Sequence, residues 1–154
     1  MLLSSEKRKQ MILDSLKFLV EDNRIWLYAF VIMSNHIHLL WRKKEAWIEK
    51  DIQQIFLTFT AQQIRFDILD HNPQDLKNYR STQSDRVNQF WERRPFKAEM
   101  PNRKVVEQKL DYIHYNPVKA DLVELPEDDW FSSARFYEHN LDDWGILTHY
   151  AEHM

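Results

Sequence analysis

Apolar residues recur every three or four positions in the first stretch of the chain, at Ile12, Leu16, Leu19 and Val20. This spacing predicts an amphipathic helix over residues 5–21, with Ser4 or Ser5 available as its cap and Asp22-Asn23 at its end. The period then changes. Residues 24–32, "RIWLYAFVI", are aromatic and β-branched and predict a strand. Ser34-Asn35 interrupts it, and "HIHLLW" predicts a second strand, paired with the first as a hairpin. The segment "WIEKDIQQIFLTFTAQQIRFDILD" returns to helical spacing, with Ile48, Ile52, Ile55, Phe56, Phe59 and Ile64 taken as one face. Residues 71–88 are polar and predict a loop, and "QFWERRPFKAEM" predicts a further strand kinked at Pro95. "NRKVVEQKLDYIHYN" predicts a helix with Asn102 at its N-cap and Pro117 as its stop. Residues 118–154 predict short helices that extend the same domain, so residues 1–154 are expected to form a single domain.

Composition narrows the chemistry. The chain has no cysteine, which excludes disulfides, thiolate zinc sites and cysteine nucleophiles. It has one glycine in 154 residues, so no glycine-rich phosphate cradle can be built and no nucleotide cofactor is expected. The longest apolar run, around residues 25–41, is broken by Ser34, Asn35 and two histidines, and neither a membrane span nor a leader is expected. The net charge of −3 argues against a general nucleic-acid coat but leaves room for a local basic groove. Arg42, Lys43 and Lys44 cluster, as do Arg93, Arg94 and Lys97, and Arg103 and Lys104; each cluster also fits a solvated face.

The two histidines carry the most specific signal. Side chains alternate along a strand, so His36, His38 and Leu40 share one face and Ile37, Leu39 and Trp41 the other. The second set is wholly apolar and is taken as the core face. The imidazoles then stand roughly 7 Å apart at the backbone, where their nitrogens can converge on a divalent ion if a third ligand is supplied. The same spacing fits two ordinary hydrogen-bonded histidines. On the helix at 102–116, Val106, Leu110 and Ile113 form the packing stripe. Tyr112 and Asn116 share a second stripe about a quarter-turn away with Val105 and Lys109.

Three segments carry a family resemblance. "YAFVIMSNHIHLLW", "LDYIHYNPVKADLV" and "PEDDWFSSARFY", in this order, resemble the single-tyrosine HUH transposases of the insertion-sequence-200-like group, and among them the branch related to the REP-associated tyrosine transposases. The resemblance runs from about residue 8 to residue 137. It implies an α+β fold, a ferredoxin-like antiparallel sheet with helices. It implies that His36, His38 and Asn116 bind Mg²⁺ or Mn²⁺ and that Tyr112 attacks a phosphate of single-stranded DNA, leaving a 5′-phosphotyrosine. The DNA contacts are expected from Arg42, Lys43, Lys44, Arg93, Arg94, Lys97, Arg103 and Lys104, with stacking on Trp41 or Trp91. Single-stranded or hairpin DNA is the implied partner, a homodimer is one arrangement the family uses, and a cytoplasmic, nucleoid-associated location in a bacterium is expected.

The chain departs from the family pattern twice. The family's first strand precedes the first helix, and Leu2-Leu3 cannot supply it. It is expected upstream of the chain, lost from a remnant, or replaced by another segment or chain. Asp121 also stands where the family has glycine, at a turn suited to positive φ. The same residues leave other functions open: a remnant that binds hairpin single-stranded DNA without cutting it, a phosphoesterase using water, and a structural domain with incidental histidines.

Overall fold

The computed structural model describes residues 2–79, 91 and 99–154. They form two compact units, Met1–Lys50 with Glu99–Met154, and Asp51–Ala98. The first unit contains helix α1 (Glu6–Glu21), strands β1 (Ile25–Ile32) and β2 (Ile37–Lys43), helix α3 (Arg103–Lys119) and the short helix α4 (Ala134–His139). The second contains helix α2 (Ile52–His71) and a 3₁₀ turn, Pro73–Tyr79. The fold is α+β, and among the described residues its sheet has two antiparallel strands. Most of the strand expected at 89–100 lies outside the described residues. Among the described residues no strand precedes α1, and the Leu3 amide instead donates to the Ser34 carbonyl at 2.8 Å.

The centre of the first unit is β1. All of its residues but Trp26 are buried. One edge pairs with β2, in a register that sets Val31 opposite His38 and Ala29 opposite Leu40. The other edge is taken by two pieces of the C-terminal region. Ile32 donates to the Phe131 carbonyl at 2.9 Å and Ser133 donates to the Phe30 carbonyl at 3.0 Å, while Thr148 donates to the Leu27 carbonyl at 2.9 Å. A buried strand must satisfy its polar backbone on both edges, and these short pieces do so where a full strand would otherwise be needed.

Helix α1 starts where expected, with the Ser5 hydroxyl accepting from the Arg8 amide at 3.1 Å. It buries Ile12, Leu13, Leu16 and Leu19. Helix α3 presents Val106, Leu110 and Ile113 to Tyr28, Ala29, Val31, Met33 and Leu40 in one apolar cluster. The strand faces therefore differ from expectation. Leu40, on the histidine side, is the buried residue of β2, whereas Ile37, Leu39 and Trp41 are half-buried. The expected α2 face also differs. Ile52, Phe56, Thr60, Ile64 and Ile68 are buried, and Ile48, Ile55 and Phe59 are exposed. Asp51 caps α2 by accepting from the Gln54 amide, so Trp47 and Ile48 precede the helix.

Pro117 does not stop α3, which runs on to Lys119. In the last turn a proline forfeits a single i→i−4 hydrogen bond, so the helix can close beyond it. The closure uses a left-handed residue. Asp121 has φ 57°, its amide donates to the Val118 carbonyl at 3.0 Å, and the Leu122 amide donates to the Pro117 carbonyl at 3.0 Å. The positive-φ turn expected at this position is thus present, held by a residue with a Cβ. Asp121→Gly is expected to stabilise the protein by about 1 kcal/mol, read as a rise in Tm of about 2–4 °C, while Asp121→Ala gives no rise. Equal melting temperatures for the glycine and alanine variants would remove the strain argument.

Candidate functional site

The hairpin between β1 and β2 is tight. The Met33 amide donates to the His36 carbonyl at 2.8 Å, so His36 begins immediately after Ser34-Asn35, and His38 lies one strand repeat further on the same face. The two imidazoles meet edge to face with centroids 5.0 Å apart. Tyr112 of α3 meets His38 in the same manner, at 5.4 Å. The packing stripe of α3 accounts for this. Leu110 and Ile113 lock the helix to Val31 and Leu40, which flank His38 across and along the sheet, and the adjacent stripe then carries Tyr112 over the histidines. Tyr112 is 45% exposed, so its phenol is reachable from solvent.

The neutral form of His38 suits a ligand role. His38 is pushed down to about 4, first by burial and then by the positive charges of His36 and Lys109, so it presents a neutral imidazole at neutral pH. His36 Nδ1 lies 2.7 Å from Asn35 Oδ1. An amide oxygen only accepts, so Nδ1 donates to it, and Nε2 is the nitrogen left to face a ligand. Among the described residues no three His, Cys, Asp or Glu side chains cluster as a metal site. A third donor of another type is therefore required. Asn116, one turn beyond Tyr112 and partly buried, carries a carbonyl oxygen of the kind that Mg²⁺ and Mn²⁺ accept.

The basic residues are placed less uniformly. Arg42 is exposed near the end of β2, about 20 Å along the strand from His36. Lys43 Nζ donates to the carbonyls of Ile48 and Lys50 at 2.8 and 2.9 Å, pinning the turn after β2. Lys44 Nζ sits 3.7 Å from the centre of the Trp26 ring and donates to Asn23 Oδ1. Arg103, in the first turn of α3, pairs with Glu107 at 2.9 Å, and Lys104 beside it is exposed. Arg93, Arg94 and Lys97 lie outside the described residues. Of the aromatic candidates, Trp41 is half-buried, and the Trp91 indole donates to Thr60 Oγ1 at 3.1 Å. The cations that do lie at Tyr112 are two absent from the expected DNA contacts: Lys109, already placed on the tyrosine stripe, with Nζ at 4.5 Å, and Lys119, with Nζ at 5.4 Å from the ring centre. Lys119 was hidden by the expectation that the helix ended at Pro117.

His114 and Ser133 belong to the same motifs but serve the framework. His114 Nε2 lies 2.7 Å from Ser133 Oγ, which accepts from the Phe30 amide at 3.0 Å, and both residues are buried. They bind α3 to the outer edge of β1.

No family model matches the chain. It is 30% identical over 124 residues to a Haemophilus influenzae protein whose curated name is "Putative REP-associated tyrosine transposase", an alignment that covers 76% of this chain and 65% of that protein's length. In sequence the chain is thus similar to a REP-associated tyrosine transposase, and it spans less than two thirds of that protein's length. Its fold agrees with that similarity. A solved structure described as a REP-associated tyrosine transposase bound to a REP hairpin superposes with a TM-score of 0.63, covering 90% of this chain and 73% of the other at 19% identity. The fold of the REP-associated tyrosine transposases therefore accommodates the two-stranded sheet and helices described above. No helix among the described residues is long and apolar enough to cross a membrane.

The buried tie makes a pH prediction. Burial pushes His114 from its ordinary 6.5 down to about 4, so the unfolded chain binds a proton that the folded chain resists. The folded-state value is depressed; its contribution is therefore full above pH 6.5 and declines as pH falls toward 4. Urea denaturation is expected to show stability falling by up to about 3 kcal/mol across that window. His114→Gln is expected to flatten the decline; an unchanged slope in that variant would assign the acid sensitivity elsewhere.

Proposed function

We propose that this chain cuts and rejoins single-stranded DNA through Tyr112. The observation that carries the reading is the contact between Tyr112 and His38, with His36 alongside, which sets an accessible phenol against two imidazoles. A phenol ordinarily ionises near pH 10 and is a poor nucleophile until a cationic environment favours its oxyanion. Two lysine ammoniums lie over the ring, at 4.5 and 5.4 Å from its centre. In the proposed step Tyr112 Oη forms a bond to a backbone phosphorus and the P–O3′ bond breaks. The phenolic proton passes to solvent and the departing O3′ takes one up, leaving a 5′-phosphotyrosine and a free 3′-hydroxyl. The phosphodiester is exchanged for another phosphodiester, so the reverse step by a 3′-hydroxyl rejoins DNA without ATP.

His36, His38 and Asn116 are the residues proposed to hold Mg²⁺ or Mn²⁺, which would polarise the phosphate as a Lewis acid. Asn35 orients His36 for this purpose. The solved relative's hairpin ligand supports a folded single strand as the partner. Both histidines and Tyr112 come from one chain, so the reading requires no second copy.

Labelled single strands from the DNA flanking the gene, incubated with the full chain and Mn²⁺ and run on a denaturing gel, test the proposal. A protein–DNA adduct is expected that disappears with Tyr112→Phe and with EDTA. Strand retention in a native gel without any adduct would replace cutting by hairpin binding alone, and cleavage that survives Tyr112→Phe would identify water as the nucleophile. Separately, Asn35→Ala is expected to weaken Mn²⁺ binding by about 10-fold in calorimetric titration. Unchanged affinity would show that the Asn35 contact does not orient a ligand.

A further inference from the structure

Helix α3 carries two exposed tyrosines one turn apart. Tyr112 is 45% exposed and Tyr115 is 50% exposed. Residues three apart on a helix have Cβ atoms about 5–6 Å from each other and differ by about 60° around the axis. Ile113, of the packing stripe, lies to one side of Tyr112, and Tyr115 lies to the other, toward solvent.

The two rings stand differently. Tyr112 is engaged, with the His38 ring centroid at 5.4 Å and the ammoniums of Lys109 and Lys119 at 4.5 and 5.4 Å from its own. Among the described residues Tyr115 has no ring partner, no cation over its face and no hydrogen bond from its hydroxyl. The fold gains little from a tyrosine there. It is a weaker helix former than alanine or lysine, and half of its apolar surface stays in water. What the position does offer is an open aromatic face one helical turn from the phenol that meets the histidines. A nucleobase is a planar ligand suited to such a face, and every base of a single strand can stack on an aromatic side chain whatever its identity.

We propose that Tyr115 is a stacking platform for a base of the single strand beside the phosphate that Tyr112 attacks. The proposal rests on the reading of Tyr112 as the nucleophile. The strand crosses the solvent side of α3 with its phosphate at Tyr112 and a neighbouring base on Tyr115. Tyr115 binds the strand and takes no part in bond-making, since Tyr112 is the tyrosine that meets the histidines. Its ring, and not its hydroxyl, is what the base uses.

The test measures binding by fluorescence anisotropy on labelled single strands from the DNA flanking the gene. The full chain carries Tyr112→Phe, so that no strand is cut. In that background Tyr115→Ala and Tyr115→Leu are expected to weaken binding at least about fivefold, and Tyr115→Phe and Tyr115→Trp less than about twofold. Strands with one abasic sugar at successive positions are expected to reveal one position where loss of the base weakens binding to the parent but not to Tyr115→Ala. Equal affinity of the alanine variant and the parent, equal losses in the alanine and phenylalanine variants, or one abasic profile shared by both proteins overturns the platform. Absence of strand binding by the parent overturns it as well. In the adduct assay, with Tyr112 restored, Tyr115→Ala is expected to raise the strand concentration at half-maximal rate while the rate at saturation changes less than about threefold. A saturated rate that falls with no change in that concentration overturns the binding role. Absence of any adduct with the binding pattern intact defeats the nuclease reading alone, and an adduct with unchanged binding in Tyr115→Ala defeats the platform alone.

Discussion

A strand buried on both faces and both edges has no water to satisfy its peptide groups, and β1 is such a strand. Its hydrogen bonds to β2 on one side and to residues 131–133 and 148 on the other are the condition under which the remaining elements can pack. The Ser133 hydroxyl is central to this. It accepts from the Phe30 amide and meets the His114 imidazole, so the outer edge of the strand and helix α3 are fastened at one point. Removing the hydroxyl leaves a buried amide without a partner, which generally costs about 1–3 kcal/mol.

From that fixed strand the site follows by two short steps. The tight turn at Ser34-Asn35 delivers His36 and His38 onto the face that α3 covers. The α3 stripe of Val106, Leu110 and Ile113 seats the helix on the same face, and Tyr112 reaches the histidines because its stripe borders the packing stripe. The buried His114–Ser133 tie and the His36–His38–Tyr112 cluster thus lie on neighbouring faces of one helix.

Local chemistry was legible in the residues. Ser5 and Asn102 cap α1 and α3 as expected, and the alternation that put His36 and His38 on one face is observed. The helical period that put Tyr112 beside Asn116 was equally direct. What periodicity could not reveal was which face a partner covers when both faces are usable. The wholly apolar set Ile37, Leu39 and Trp41 looked like the core, yet the face with the histidines holds the buried Leu40. Helix α2 posed the same difficulty, since Ile55, Phe59, Phe66 and Leu69 make a second apolar stripe that stays exposed. A proline taken as a stop concealed the last turn of α3 and with it Lys119. The basic clusters were read by adjacency in sequence, but Lys43, Lys44 and Arg103 are engaged by neighbouring carbonyls, Trp26 and Glu107.

Helix α3 carries packing and chemistry on adjoining stripes, so the site is written into the chain as a phase angle. Inserting or deleting one residue between Leu110 and Tyr112 would turn the phenol by about 100° relative to the core stripe and swing it away from the histidines, although every side chain of the site would remain in the sequence. A length change in the segment that joins α2 to α3 leaves that angle untouched. The register within α3, and not the presence of the residues alone, therefore sets the phenol against the histidines.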